Sequence, residues 1–428
     1  MELNGVRIAD ITMVSAFLLL GLFGLACLAV VVRPFGISEG WWALGAAVIG
    51  LMTGLIGLGA AWASARTTLD VILFFGGLLL LTGVLVRAGA IELVIDQMER
   101  WSGESPRRLL VATIAITALV TALFSNDAAA LLVAPALIAR LRRRQLPLAP
   151  YLLAVALIAN AASLVLPISN PVNLLVVDRV HIPLSEYVAV VTPAALVGLL
   201  LAALLLVGIS WRRLPARSRP RLRTGAHDST LLKMLAGLLV VLLLADLALG
   251  ASRLPLGPAT MVAGLLAAGI WAVHTRGSPL LLVSSIRWSL LPLVIGFAVL
   301  AAGLDHSRLL EGVARNVTGG GTASPLVQFK VGAITAVTAA LANNLPATFL
   351  VGSGLAASHH LTALAFSVIA GADIGPNLAP AGSLSTILIF AAARRQGDAA
   401  PWRGFLRSGW VLAPAGLIAT FALLTVLG

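Results

Sequence analysis

Eight stretches of the chain stay apolar for about twenty residues, at about 11–32, 41–62, 67–86, 187–210, 230–249, 256–275, 285–303 and 409–427. An α-helix needs roughly 20 predominantly apolar residues to cross the hydrocarbon core, so each reads as a simple crossing. Four further segments have the length but not the uniformity. Segments 108–140 and 323–357 are apolar with a polar point near the middle, while 148–177 and 361–393 are broken by Pro and Gly. The first pair predicts re-entrant helical hairpins with tips at Asn126 and Asn343. The second pair predicts helices unwound at 167–173 and 375–383.

These interruptions correspond between the two halves. Asn126-Asp127 in FSNDAAALLVAP stands 217 residues before Asn343-Asn344 in LANNLPATFL. The stretch ANAASLVLPISNPVN (159–173) stands over GADIGPNLAPAGSLST (371–386) at an offset of 213, with Pro167 over Pro380. Unpaired polar groups in hydrocarbon cost several kcal/mol each, so Asn, Asp, Pro and Gly at that depth belong where they line a cavity or bind something. Paired interruptions in two halves point to a secondary transporter's binding site. The expected architecture is an all-α polytopic membrane protein, an inverted repeat of five crossings plus one re-entrant hairpin per half, with one broken helix per half. The odd number of crossings turns the second half upside down. The first repeat is expected over 1–211, a basic cytoplasmic linker over 212–229, and the second repeat over 230–428.

Composition sharpens this picture. With 59% hydrophobic residues, 11% charged and a mean hydropathy of +1.02, no sizeable water-soluble domain fits in 428 residues. The first apolar run lacks a small-residue cleavage pattern and reads as a retained helix, not a signal peptide. The net charge of +12 follows from topology, because Lys and Arg in short loops stay cytoplasmic. With 212–233 inside, most cations fall in inner loops, among them Arg33, Arg87, Arg140, Arg142 to Arg144, Arg287 and Arg394. The minority outside are Arg7, Arg66, Arg179, Arg253, Arg308, Arg315 and Lys330. Both termini are then predicted outside, the central loop cytoplasmic, and the bacterial cytoplasmic (inner) membrane the location. The stretch RRLPARSRPRLR is topological rather than nucleic-acid binding, with an acidic cytosolic partner as the alternative. Residues 91–101 and 306–317 look amphipathic and are expected along the interface.

Aspartates at membrane depth are Asp127, Asp373 and Asp246. The first two sit beside Asn, Gly and Pro, where half-helix ends expose backbone groups, and are the candidates for proton coupling. Asp246 lies in a Leu-rich helix and reads as structural, a secondary candidate only. Asn126, Asn160, Ser169, Asn170, Asn173, Asn343, Asn344, Asn377, Ser383 and Thr386 offer donors and acceptors that suit an uncharged polyhydroxylated solute. An anion remains the alternative, since helix N-termini hold anions without a cationic clamp. The single cysteine, Cys27, excludes a multi-thiolate site. His181, His227, His274, His306, His359 and His360 build no metal centre. The chain carries no GxxxxGK[ST], HExxH or GxSxG motif, so an ATPase or a hydrolase is not expected, and neither is a cofactor.

FSNDAAALLVAP, ASLVLPISNPVNLL, LANNLPATFLVG and GADIGPNLAPAGSLSTIL closely resemble the four signature segments of the arsenite efflux permeases, the ArsB family. These belong to an ion transporter superfamily with the NhaD-type Na⁺/H⁺ antiporters and dicarboxylate transporters. The resemblance covers nearly the whole chain. It implies proton-driven export of arsenite and antimonite, with optional coupling to a soluble ArsA-type ATPase, by a monomer or homodimer. It further implies that Asn126, Ser169, Asn170, Asn173, Asn343, Asn344, Ser383 and Thr386 bind solute while Asp127 and Asp373 exchange protons. Two positions depart from the family pattern, Asn160 where an acid is expected and Asn377 where a lysine is often found. A Na⁺/H⁺ antiporter, then a dicarboxylate carrier, are the rival readings.

Overall fold

A computed structural model describes residues 2–3, 6–218, 229–252, 254–307, 309–318, 323–355 and 361–427. Most of the basic linker, Arg253, Arg308, His227, His359 and His360 lie outside the described residues. A two-residue antiparallel pair, β1 (Glu2–Leu3) with β2 (Val6–Arg7), precedes a helical chain. In the first half the helices are α1 (Ile8–Val32), α2 (Glu39–Met52), α3 (Leu58–Thr67), α4 (Leu69–Arg87), α5 (Ala90–Ser102) and α6 (Pro106–Leu123). They are followed by α7 (Asn126–Ala128), a π-helical turn Ala129–Val133, α8 (Ala134–Arg143), α9 (Leu148–Ala162), α10 (Pro171–Val180) and α11 (Leu184–Trp211). The second half runs α12 (Ser229–Ala251), α13 (Gly257–Thr275), α14 (Pro279–Ser285), α15 (Leu290–Ser307), α16 (Leu309–Thr318) and α17 (Pro325–Ala342). It closes with α18 (Asn344–Leu355), α19 (Leu361–Ile374), α20 (Leu384–Arg395) and α21 (Trp402–Leu427).

Among the described residues, α1, α4, α6, α11, α12, α13, α17 and α21 are long and apolar enough to cross a membrane, with a ninth span if the bent pair α15 and α16 counts as one. Three expectations need correction. The run 41–62 is not one helix: it breaks between Met52 and Leu58, where Gly54 takes φ +73 and Gly57 is extended. Glycine enters these conformations without steric cost, and the apolar Leu55 and Ile56 between them hid the break. The run 285–303 becomes helical only at Leu290. The first unwound segment is 163–170 rather than 167–173, because Pro171 opens α10 at its first position, where a missing N–H costs nothing. The second break, over 375–383, falls where expected as two short 3₁₀ turns.

Packing explains which segments tolerate breaks. Every residue from Pro150 to Ala162 in α9 is buried, as is the C-terminal part of α19, whereas α12 and α1 carry broad exposed apolar faces. Unwound backbone at membrane depth must be surrounded by protein, so the broken helices take the middle and the uniform ones the rim. Contacts come in exchanged pairs: α4 packs on α13 as α15 packs on α2, α6 on α9 as α17 on α19, and α9 on α20 as α19 on α10. The last long helices, α11 and α21, pack on each other.

The chain doubles back at both hairpin segments. After α8, Arg144 Nη2 donates to Gly103 O at 2.7 Å, just before α6 begins. Likewise Gly354 in α18 lies against Leu310 and Ala314 of α16, just before α17. The amphipathic α5 is tied in by charge, not only by its apolar face. Arg140 reaches Asp96 at 2.5 Å and Glu99 at 2.8 Å, and all three are buried. The loop rule for basic residues placed Arg140 in a loop; it sits inside the protein as the partner of two carboxylates.

Candidate substrate site

Four helical segments begin at one point. Ser125, extended, caps the stretch opening at Asn126 by accepting from Ala128 N at 3.0 Å. Asn170 Oδ1 accepts from Val172 N at 3.3 Å at the start of α10. Asn344 Oδ1 takes Leu345 N at 2.9 Å at the start of α18, and Ser383 stands at the N-cap of α20. Residues of all four starts line one cavity of about 450 Å³ including its open mouth. Each N-terminus carries unsatisfied N–H groups and a partial positive charge, so their convergence creates a donor-rich pocket. Its polar lining is Asn126, Asp127, Asn170, Asn343, Asn344 and Ser383. Phe75 of α4 and Leu290, Leu293 and Val294 of α15 supply an apolar wall that sequence reasoning missed, because nothing local marks them.

Asn343 holds φ +79 and ψ 152, a conformation that residues other than glycine rarely adopt. Such strain, of order 1–3 kcal/mol, persists where surrounding structure enforces it, commonly at functional sites. Asn343 Nδ2 is buried without a partner among the described residues and Asn343 lines the cavity, so a donor is left for a solute.

The remaining sequence candidates stand behind this lining. Ser169 Oγ donates to Ala122 O at 2.8 Å, tying the first broken helix to the end of α6. Asn173 Nδ2 donates to Ser163 O at 2.7 Å and closes the unwound loop on itself. Asp373 does not line the cavity; it accepts a hydrogen bond from Asn170, which does. Deeper still, Asn160 Nδ2 donates to Asn377 Oδ1 at 3.0 Å and to Thr386 Oγ1 at 3.3 Å, and Asn377 Nδ2 donates to Leu157 O at 3.0 Å. The two residues that depart from the family pattern are therefore each other's partner. Asp246 lies apart from the cavity, buried in α12, which packs on α13.

One cluster has no counterpart in the sequence reasoning. Glu39, fully buried, pairs with Arg287, stands 3.2 Å from Arg33 and accepts from Ser289 Oγ at 3.1 Å. A separate cleft of about 1850 Å³ including its open mouth is lined by Asp70, Asp178, Arg179, His181, Asp305 and Glu311 among others. Cys27 is buried in α1 among apolar side chains, and among the described residues no group of His, Cys, Asp and Glu could hold a metal ion.

The chain is 28% identical to the arsenical pump membrane protein of Yersinia enterocolitica, over 95% of this chain and 97% of that one. It is also 28% identical to the arsenical pump membrane protein of Escherichia coli K12, at the same coverage. An uncharacterized transporter of Mycobacterium tuberculosis is 25% identical over 88% of this chain and 91% of its own length. Among solved structures the Alcanivorax borkumensis YdaH transporter matches with a TM-score of 0.58 and 17% identity, covering 97% of each chain, a likeness of fold. The family described as CitMHS, citrate transporter, matches residues 23–424. A multi-pass helical chain with this fold, matched almost from end to end, belongs to the CitMHS transporter family, and arsenical pump membrane proteins are among its curated relatives.

Proposed function

We propose that the protein is a secondary active efflux transporter that exports arsenite and antimonite as neutral trihydroxides in exchange for protons. The observation that carries this reading is the convergence of four helix starts with Asn126, Asp127, Asn170, Asn343, Asn344 and Ser383 on one cavity. Arsenious acid is an uncharged trihydroxide at neutral pH. Its oxygens accept from N–H groups at the helix starts while its O–H groups donate to amide oxygens and Asp127. No thiolate takes part, in keeping with a lone cysteine outside the cavity.

The exchanged packing pairs support an inverted repeat, with the two hairpins and two broken helices as a unit that carries the site past a scaffold of the other spans. The reading further places the chain in the bacterial cytoplasmic membrane, both termini outside. The 212–229 linker is cytoplasmic, where an ArsA-type ATPase is an optional partner. Exchanging one proton for one neutral solute at roughly 150 mV supplies about 3.5 kcal/mol. At ~1.4 kcal/mol per decade this sustains an outward gradient of a few hundred-fold without a nucleotide.

An anion is the second reading, favoured by the same helix starts and by the citrate transporters of the family. Everted vesicles energised with a proton gradient separate them. Arsenite is expected to accumulate while added NaCl or citrate neither discharges the gradient nor competes. Accumulation of citrate without arsenite would overturn the proposal. Asp127→Asn and Asp373→Asn keep size and hydrogen-bonding capacity but remove the titratable proton. At least one is expected to abolish driven transport while solute still binds, and full activity in both would remove these residues from the coupling.

A further inference from the structure

The large cleft that holds Asp70, Asp178, Arg179, Asp305 and Glu311 adjoins the candidate substrate cavity along four helices. On α15, Val294 lines the cavity while Ala298, Ala302 and Asp305 line the cleft; on α10 the order is Val172, then Leu175, Asp178 and Arg179. Leu345 and Phe349 divide in the same way on α18, as do Phe75 and Asp70 on α4. Residues three or four apart share a helix face, so on α10, α15 and α18 the cleft begins one turn beyond the cavity. These steps run toward the C-termini of α10, α15 and α18 and toward the N-terminus of α4. Arg66, just before α4, and Arg179, near the end of α10, are residues that the loop rule puts outside, while Arg87 and Arg287, at the opposite ends of α4 and α15, are inside.

Depth and polarity agree with that direction. From Val294 to Asp305 an α-helix rises roughly 16 Å, about half of the ~30 Å hydrocarbon core, so the cleft covers the distance from mid-membrane to the surface. Charged side chains along such a length belong where water reaches them. The lining comes from two parts of the chain. Ser64 of α3, Asp70 of α4 and Ala302 of α15 belong to the scaffold, whereas Leu175 and Asp178 of α10 and Phe349 of α18 belong to the first broken helix and the second hairpin. Arg179 Nη2 donates to Asp305 between these two parts. Both side chains are partly exposed, and exposed ion pairs contribute little net stability, so this one parts and re-forms readily.

We infer that this cleft is the outer vestibule of the solute path, through which the solute leaves the cavity, and that Arg179 and Asp305 mark the seam along which the first broken helix slides on α15. The inference rests on the reading of the cavity as a transport site. A solute released from the helix starts passes the turn at Leu175, Ala298 and Phe349 and reaches water between Asp178 and Asp305. Movement of the broken helix parts the ion pair and withdraws one wall of the vestibule, so the path and the position of the transport unit change together.

Cysteine labelling of the full chain in a Cys27→Ala background reads the path. A charged, membrane-impermeant maleimide applied to intact cells should modify Ala302→Cys, and the adduct should abolish arsenite transport in everted vesicles made from those cells. Absence of labelling from outside, the result expected of a cleft filled by lipid, would overturn the inference, and so would full transport with the site modified. Arg179→Cys combined with Asp305→Cys should be joined by a short bifunctional methanethiosulfonate. Transport should be lost on joining and return once reductant has cut the link and been washed away. Failure to join the two, or transport that continues while they are joined, would count against the seam and overturn the inference. If this double variant does not transport at all, Ala302→Cys decides by itself. Arsenite transport missing already in Cys27→Ala would sink the functional reading alone, because labelling of Ala302→Cys from outside needs no solute and still decides for or against the vestibule.

Discussion

The pairing of Asn160 with Asn377 makes a quantitative test of how the two broken helices are joined. Both side chains are 1% exposed, and they meet at 3.0 Å across the two halves of the chain. Asn160→Asp preserves volume but replaces the donor to Asn377 Oδ1 with a second acceptor, leaving a buried carboxylate helped only by the hydroxyls of Ser385 at 3.4 Å and Thr386 at 3.3 Å. Asn377→Lys buries an ammonium beside Leu157 O, the carbonyl that now accepts from Asn377 Nδ2. An uncompensated buried charge costs about 3–5 kcal/mol. With an unfolding entropy of roughly 2.1 cal/mol/K per residue over the chain, each single variant should melt about 3–6 °C below the parent. The double variant places opposite charges in contact, and a coupling of about 2–3 kcal/mol should leave it about 2–3 °C more stable than the sum of the two single losses. Thermal melts of the four purified proteins in one detergent complete the cycle. A double variant whose loss equals or exceeds the sum of the two single losses would refute the contact between these residues.

Three further outcomes follow from particular contacts. Arg140→Met keeps the bulk of the side chain but strands Asp96 and Glu99, so it should cost about 3–5 kcal/mol, and adding Asp96→Asn and Glu99→Gln should recover part of the melting temperature. Gly409→Ala puts a Cβ 1.8 Å from Asn377 O, a rigid backbone atom, and should destabilise by about 1–3 kcal/mol, while Gly45→Ala, which meets nothing within 4 Å, should not lower the melting temperature. Cys27→Ala should leave arsenite resistance of a sensitive host intact at matched expression, whereas Asn344→Ala should abolish it; loss of resistance in Cys27→Ala would refute recognition through hydroxyl hydrogen bonds.

Sequence by itself determined where apolar runs end and where polar residues interrupt them, because the cost of a polar group in hydrocarbon is a local property of the residue. That cost is why the breaks at Asn126, at Asn343 and over 375–383 were legible, and why Asn126, Asp127, Asn170, Asn343, Asn344 and Ser383 stood out as candidates without knowledge of the cavity they line. It could not separate these from Ser169, Asn173, Thr386 and Asp373, which carry the same chemistry but face Ala122, Ser163, Asn160 and Asn170. Which polar side chain points into a cavity is fixed by partners some 10 to 230 residues away, and no local pattern encodes them. The charges show the same division. Arg33, Arg140 and Arg287 obey a loop rule in the sequence, yet in the fold Arg140 pairs with buried Asp96 and Glu99 while Arg33 and Arg287 flank Glu39. A long basic side chain at a helix end can reach water or a buried carboxylate with equal ease, and only the packing of α5 on α8 and of α2 on α15 decided between them.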